Sequence, residues 1–230
     1  MLELRDLRIT QGSFSLTADF TLPRGRRAAV IGPSGAGKST LLSTIAGFFP
    51  QSAGQVLWDG QSLDDTGPGK RPVAMLFQDG NLLPHLDIFR NVALGKAPGL
   101  RLSAEDRDRV SAALDRVGLA GLGDRRPGAL SGGQQSRAAL ARILVQDRPL
   151  LLLDEPFAAL GPALRAEMLD LVAALAEETG ATLLMVSHDP QDARRIADDL
   201  ILVDDGTAWP PRPALEMLDN PPEALKRYLG

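Results

Sequence analysis

Cysteine is absent from all 230 residues, which excludes disulfides and thiolate metal sites and suits a reducing compartment. No run approaches the roughly 18 apolar residues of a membrane span, so any work at a membrane must go through a partner. Met1-Leu2-Glu3-Leu4-Arg5-Asp6 is charged from the start and lacks the apolar region of a signal peptide. Basic excess is missing too. The 25 Lys and Arg stand against 29 Asp and Glu, a net charge of −4, which leaves no electrostatic footprint for nucleic acid. There is no internal repeat or low-complexity tract. What remains is an ordinary 44% hydrophobic content and enough length for one core, or a core with an inserted lobe.

The chain is organised around Gly32-Pro33-Ser34-Gly35-Ala36-Gly37-Lys38-Ser39-Thr40. An apolar strand, Ala28-Ala29-Val30-Ile31, runs into this stretch, and a helix leaves it through Leu41 and Leu42. Gly32, Gly37, Lys38 and Ser39 meet the pattern G-x-x-x-x-G-K-[S/T] between the strand and helix that the pattern requires. Glycines let the backbone wrap an anion closely. The wrapped N–H groups form a nest, and the helix N-terminus points at the same place. Lys38 is expected to reach the β- and γ-phosphates of a nucleotide, and the Ser39 hydroxyl to ligate Mg²⁺.

Before the loop, Leu2, Leu4, Leu7 and Ile9 open one strand. Phe14, Leu16, Ala18, Phe20 and Leu22 alternate along a second, which reads as half-buried and antiparallel. A further strand is expected over residues 54–60, closed by Asp59-Gly60, with Trp58 as a packing residue. Pro72-Val73-Ala74-Met75-Leu76-Phe77-Gln78 reads as a buried strand with its polar end toward a site. From about 79 to 146 the texture is helical and charged, as expected of a lobe inserted between core strands. Ser103 with Asp106 marks a helix start, and Gly118 its stop. The core resumes at Leu150-Leu151-Leu152-Leu153. An amphipathic helix follows from Pro162 to Thr179, with Gly180 as its stop, then a strand over Thr182–Val186 and a last core strand over residues 200–203. The tail reads as short and proline-rich.

Two further stretches carry chemistry. Asp154-Glu155 ends an apolar strand, where open α/β sheets place ligands. Asp154 is suited to holding Mg²⁺, and Glu155 to polarising an attacking water. Leu130-Ser131-Gly132-Gly133-Gln134 precedes a helix expected over residues 135–145. It reads either as a plain N-cap or as a second anion-binding helix N-terminus. In the second case, one nucleotide lies between the loop of one copy and the Ser-Gly-Gly turn of another.

These stretches, with Gln78 and His188 and in this order, resemble the nucleotide-binding subunit of ABC transporters over essentially the whole chain. The resemblance implies a single ATPase domain over residues 1–230. It would be an α/β P-loop NTPase (RecA-like) core with an antiparallel β subdomain and the inserted α-helical subdomain. It also implies ATP and Mg²⁺ as ligands and Mg²⁺-dependent ATP hydrolysis. Glu155 would be the general base. Gln78 would sense Mg²⁺ and water, and His188 would contact the γ-phosphate and water. Ser131 and Gly133 would touch the γ-phosphate held by the opposite copy of a homodimer. Two positions depart from the family pattern. Gln11-Gly12-Ser13 stands where an aromatic residue usually stacks on adenine, and Phe14 looks committed to a strand, so adenine stacking stays unassigned. Gly161 replaces the Asp that usually follows the acidic pair, at the dimer interface.

Relatives with long coiled coils act on DNA, but the inserted lobe has neither the length nor the heptads. Glu155-Pro156-Phe157-Ala158-Ala159-Leu160 and Pro162-Ala163-Leu164-Arg165 resemble bacterial importers. Arg71-Pro72-Val73-Ala74-Met75-Leu76-Phe77-Gln78, Pro84-His85-Leu86 and residues 183–188 are similar to the ATPases of thiamine and thiamine diphosphate importers. The implied partners are transmembrane permease subunits and, indirectly, a periplasmic substrate-binding protein. The implied place is peripheral, on the cytoplasmic face of the bacterial inner membrane. Alternatives are an importer for ferric iron, sulfate, molybdate or polyamine, or a soluble ATPase switch without transport. Leu82, Leu83, Pro84, His85, Leu86 and Phe89 are candidates for a groove toward the permease, or for ordinary packing of the lobe.

Overall fold

In the computed structural model, residues 1–78 and 80–229 are described. Asp79, where the helical insertion was expected to begin, lies outside them. Strands β1 (Leu2–Gln11) and β2 (Phe14–Leu22) form an antiparallel hairpin. Its turn is Gly12-Ser13, with Gly12 at φ 59°. β3 (Arg27–Ile31) leads into the phosphate loop and α1 (Lys38–Ala46). β4 (Ala53–Trp58) pairs with β1, and β5 (Gln61–Ser62) folds back on it through the expected Asp59-Gly60 turn. β6 (Val73–Leu76) is followed by α2 (Ile88–Ala93), α3 (Ala104–Arg116) and α4 (Gly132–Leu144). Then come β7 (Leu150–Asp154), α5 (Pro162–Thr179), β8 (Thr182–Val186), α6 (Pro190–Ile196) and β9 (Asp199–Asp204). β10 (Thr207–Ala208), β11 (Arg212–Pro213), α7 (Ala214–Asp219) and α8 (Glu223–Leu229) complete the order.

Among the described residues one curled sheet runs β5-β4-β1-β2-β10-β9-β3-β8-β7-β6, with β11 on β9. The β9-β3-β8-β7-β6 part is parallel, and the β5-β4-β1-β2 part is antiparallel. Short β10 joins them, parallel to β2 and antiparallel to β9. All five parallel strands therefore present their C-terminal ends on one edge, which is where such sheets bind ligands.

Burial explains the elements. Leu150, Leu151, Leu152 and Leu153 are all buried, because β7 lies between β6 and β8 with packed layers on both faces. One layer joins Leu41, Leu42 and Ile45 of α1 to the antiparallel hairpin. The other joins α2, α3 and α4 to α5 and the opposite sheet face. Helix α4 begins three residues before the expected start because Ser131 caps it. The capping box on α3 forms as expected, with Ser103 and Asp106 exchanging hydrogen bonds. The tail is proline-rich as read, and it also carries two short helices. Its α7 and α8 bury Met217, Leu218 and Leu225 against Ala29, Ile31 and Ala193.

Two polar side chains tie the α2–α4 segment to its flanks. Fully buried Asn91 accepts from the Leu83 amide at 2.7 Å and donates to the carbonyls of Leu83, Leu86 and Asp87. Arg142 of α4 donates to the Asn81 and Gly80 carbonyls at 2.7 and 2.6 Å. Burial lowers the pKa of its guanidinium.

Candidate nucleotide site

The phosphate loop is shaped by positions that accept only glycine. Gly32 has φ 149°, and a Cβ there would meet the Val203 carbonyl oxygen at 2.0 Å. Gly37 has φ 101°, with the Phe14 ring 2.5 Å from where its Cβ would be. Gly37 is also the N-cap of α1, and it makes no side-chain cap bond. The first N–H groups of that helix are left for a ligand. Lys38 is buried, with Nζ donating to the carbonyls of Gly32 and Pro33 at 2.8 Å each. Burial lowers its pKa, opposed by Glu155 and Asp154.

Gly32, Ser34, Gly35, Gly37, Lys38, Ser39 and Thr40 line one cavity of about 700 Å³ together with Glu155 and His188. Pro33 and Ala36 line the adjoining outer hollow. Asp154 enters the site through Ser39, whose Oγ donates to Oδ1 at 2.8 Å. Burial pushes the Asp154 carboxyl up, with Glu155 in the same direction and Ser39 and Lys38 against it. A hydroxyl and a carboxylate this close are hard oxygen donors. They fit Mg²⁺, which takes one or two protein ligands and completes its shell with water and phosphate.

Glu155 has φ 45°, in the left-handed region. A non-glycine residue held there costs about 1–3 kcal/mol, and such strain clusters at functional sites. Its Oε2 lies 3.2 Å from Nδ1 of His188. Ser187, just before His188, donates to Asp192 Oδ2 at 2.6 Å, and Arg165 binds the same carboxylate. The first turn of α5 is thereby joined to the His188 loop.

Other expected site residues lie elsewhere. Gln78 is exposed in the turn after β6 and does not line the cavity. Ser131 and Gly132 are exposed at the start of α4, and Gly133 is buried against Leu164 of α5. Ser131 Oγ accepts from the Gln134 amide at 3.3 Å, and Gln134 Oε1 accepts from the Ser131 amide at 2.9 Å. Gly161 caps α5 with an ordinary φ of −64°, and a Cβ there would meet nothing within 4 Å. The candidate groove divides in two. Leu82 and Phe89 pack on the core, whereas Leu83, Pro84 and His85 are exposed.

Sequence reasoning missed three aromatics. Phe14 begins β2 as expected, yet its ring also lines the cavity. Tyr228 lines it from α8. Phe48 is 57% exposed and meets Phe77, the neighbour of Gln78, edge-on at 5.6 Å. Only Phe48 left a local signal, as an apolar residue just past the helix-ending Gly47.

A phosphate loop at the end of central strand β3, with an acidic pair at the end of β7, one strand beyond β8, defines a P-loop nucleoside triphosphatase. The family profile described as "ABC transporter" matches residues 16–158. The chain belongs to this family and is an ATPase of it. It is 62% identical to a thiamine import ATP-binding protein ThiQ of Ruegeria sp., with 100% of both chains covered. Identity to the thiamine import ATP-binding protein ThiQ of Cereibacter sphaeroides is 61%, again over 100% of both chains. Among solved structures it is similar to the ATP-binding cassette MJ0796, described as a dimer in a post-hydrolysis state bound to ADP and Pi. That match has a TM-score of 0.79 and 29% identity, and covers 93% of this chain and 99% of the other. A second dimeric structure of MJ0796, a bacterial ABC transporter cassette, matches with 30% identity over the same shares and the same TM-score.

Proposed function

We propose that this chain is the ATP-hydrolysing subunit of a bacterial thiamine importer. The observation that carries the cargo is full-length similarity to proteins named for thiamine import. Two copies close on ATP, as the dimeric description of the similar cassette suggests, and the Ser131-Gly132-Gly133 turn of each faces the phosphate loop of the other. The loop amides and Lys38 hold the β- and γ-phosphates. Ser39 and Asp154 would hold Mg²⁺, which, when bound, offsets charge on the phosphate oxygens. Glu155 accepts the proton of the attacking water, and His188 steadies the water and the γ-phosphate. Gln78 carries the state of the site toward the permease.

The permease docks beside Gln78, where exposed Phe48, Leu83, Pro84 and His85 supply an apolar rim. The subunit sits peripherally on the cytoplasmic face of the inner membrane, and a periplasmic binding protein delivers cargo to the permease. Uptake of labelled thiamine by cells lacking this chain tests the reading. Uptake should return with the parent chain and not with Lys38→Ala. Restored uptake of ferric iron, sulfate, molybdate or polyamine, without thiamine, would overturn the cargo and leave the ATPase standing.

A further inference from the structure

We propose that Tyr228 is a positioning residue that fixes the His188 loop at the nucleotide site. Its hydroxyl donates to the His188 carbonyl at 2.8 Å, across 40 residues of chain. Among the described residues no other partner is found for that carbonyl. On the other side of the same residue, Ser187 is tied to Asp192 at 2.6 Å. His188 is thus pinned in front by a side chain of its neighbour and behind by its own carbonyl. The ring meets Glu155 at 3.2 Å.

Helix α8 is anchored well enough to act in this way. Leu225 is fully buried with Ala193 of α6, and Arg227 pairs with Asp204 of β9 at 3.4 Å. The helix therefore grips α6 through apolar packing and the loop before α6 through one hydroxyl. The Tyr228 ring also forms part of the cavity wall. Burial raises the pKa of the phenol, with Glu155 and Asp189 acting in the same direction. It stays a neutral donor at physiological pH, as the bond to a carbonyl requires.

This inference rests on the reading that His188 acts on the γ-phosphate and water. Tyr228→Phe removes the hydroxyl and keeps the ring. The chain has two histidines, so imidazole NMR signals of the full-length protein can be assigned with a His85→Gln variant. In Tyr228→Phe the His188 signals should shift and broaden while those of His85 hold. The kcat for ATP should fall roughly two- to tenfold, the fold equivalent of one net hydrogen bond, with KM within about twofold.

Arg212→Ala removes an exposed ion pair with Glu216 of α7, touches neither α8 nor the hydroxyl, and should leave the His188 signals in place. Unchanged His188 signals in Tyr228→Phe, or an equal change in Arg212→Ala, would overturn the proposal. A His188→Ala variant with the parent kcat would instead remove the role of His188, while the ring signals still decide whether Tyr228 holds the loop.

Discussion

Helices α1 and α4 both begin at glycine-rich turns, but their first turns are completed in opposite ways. At α1 the cap is Gly37, in a left-handed conformation and with no side-chain bond. Its leading amides have only a ligand to turn to. At α4, Ser131 and Gln134 close a reciprocal capping box, so two amides of this helix start are held by its own side chains. Accepting a bond occupies one lone pair of the Ser131 hydroxyl and leaves its proton to donate. One N-terminus is built around its anion, and the other can offer contacts to an anion while standing without it. The contrast suits a site in which one copy holds the nucleotide and a second copy is recruited to it.

The largest effect expected from this contrast follows Glu155→Gln. An amide keeps the shape of the side chain and cannot accept the proton of water, so turnover should fall by ~10²–10⁴-fold, with ATP binding intact. The two N-termini should then stay closed on one nucleotide, and a dimer should appear on a sizing column with ATP. A strictly monomeric profile would break the pairing of α1 with α4. Next comes a matched pair of glycines. Gly37→Ala places a Cβ against Phe14 at φ 101°, which should cost about 1–3 kcal/mol and abolish ATP binding. Gly132→Ala meets nothing within 4 Å and should stay within about 0.5 kcal/mol of the parent in a denaturant melt. The reverse ranking would mean that α1 tolerates a filled cradle.

Ser131→Ala comes third. It should cost about 1 kcal/mol of stability through the lost cap, and it should weaken ATP-driven dimerisation in a Glu155→Gln background. Full dimerisation at reduced stability would show that α4 serves as a capped helix and nothing more. Gly161→Asp is the gentlest change, because Gly is only a few tenths of a kcal/mol worse than Asp at a cap and the site is open. The melting temperature should barely move. Stronger dimerisation with ATP would then report a contact across the interface, and equal curves would mean that the carboxylate is spent on its own helix.

Much of the fold was legible because its signals are local. The four leucines of β7, the alternation of β2, and the proline start and glycine stop of α5 each lie within one element. The phosphate loop was legible for the same reason. The tail was not. Helices α7 and α8 are six and seven residues long and separated by Asn220-Pro221-Pro222, too short for periodicity to register, and packing alone makes them helical. Tyr228 stayed hidden because 40 residues separate it from the carbonyl it holds. The left-handed Glu155 is imposed by its setting and has no glycine to announce it. The exposed place of Gln78 depends on the turn after β6, which no spacing in the sequence reveals.

The Arg142 fork ties the last turn of α4 to residues 80–81. Its two bonds reach backbone carbonyls, which cannot rotate away as side chains do. Charge-assisted bonds of this kind are worth roughly 1.5–3 kcal/mol each. A displacement of residues 80–81 must either break both bonds or load α4 in its last turn. That helix has 13 residues and starts at its Ser131 cap, so the Arg142 fork and the Ser-Gly-Gly turn stand at opposite ends of one rigid element.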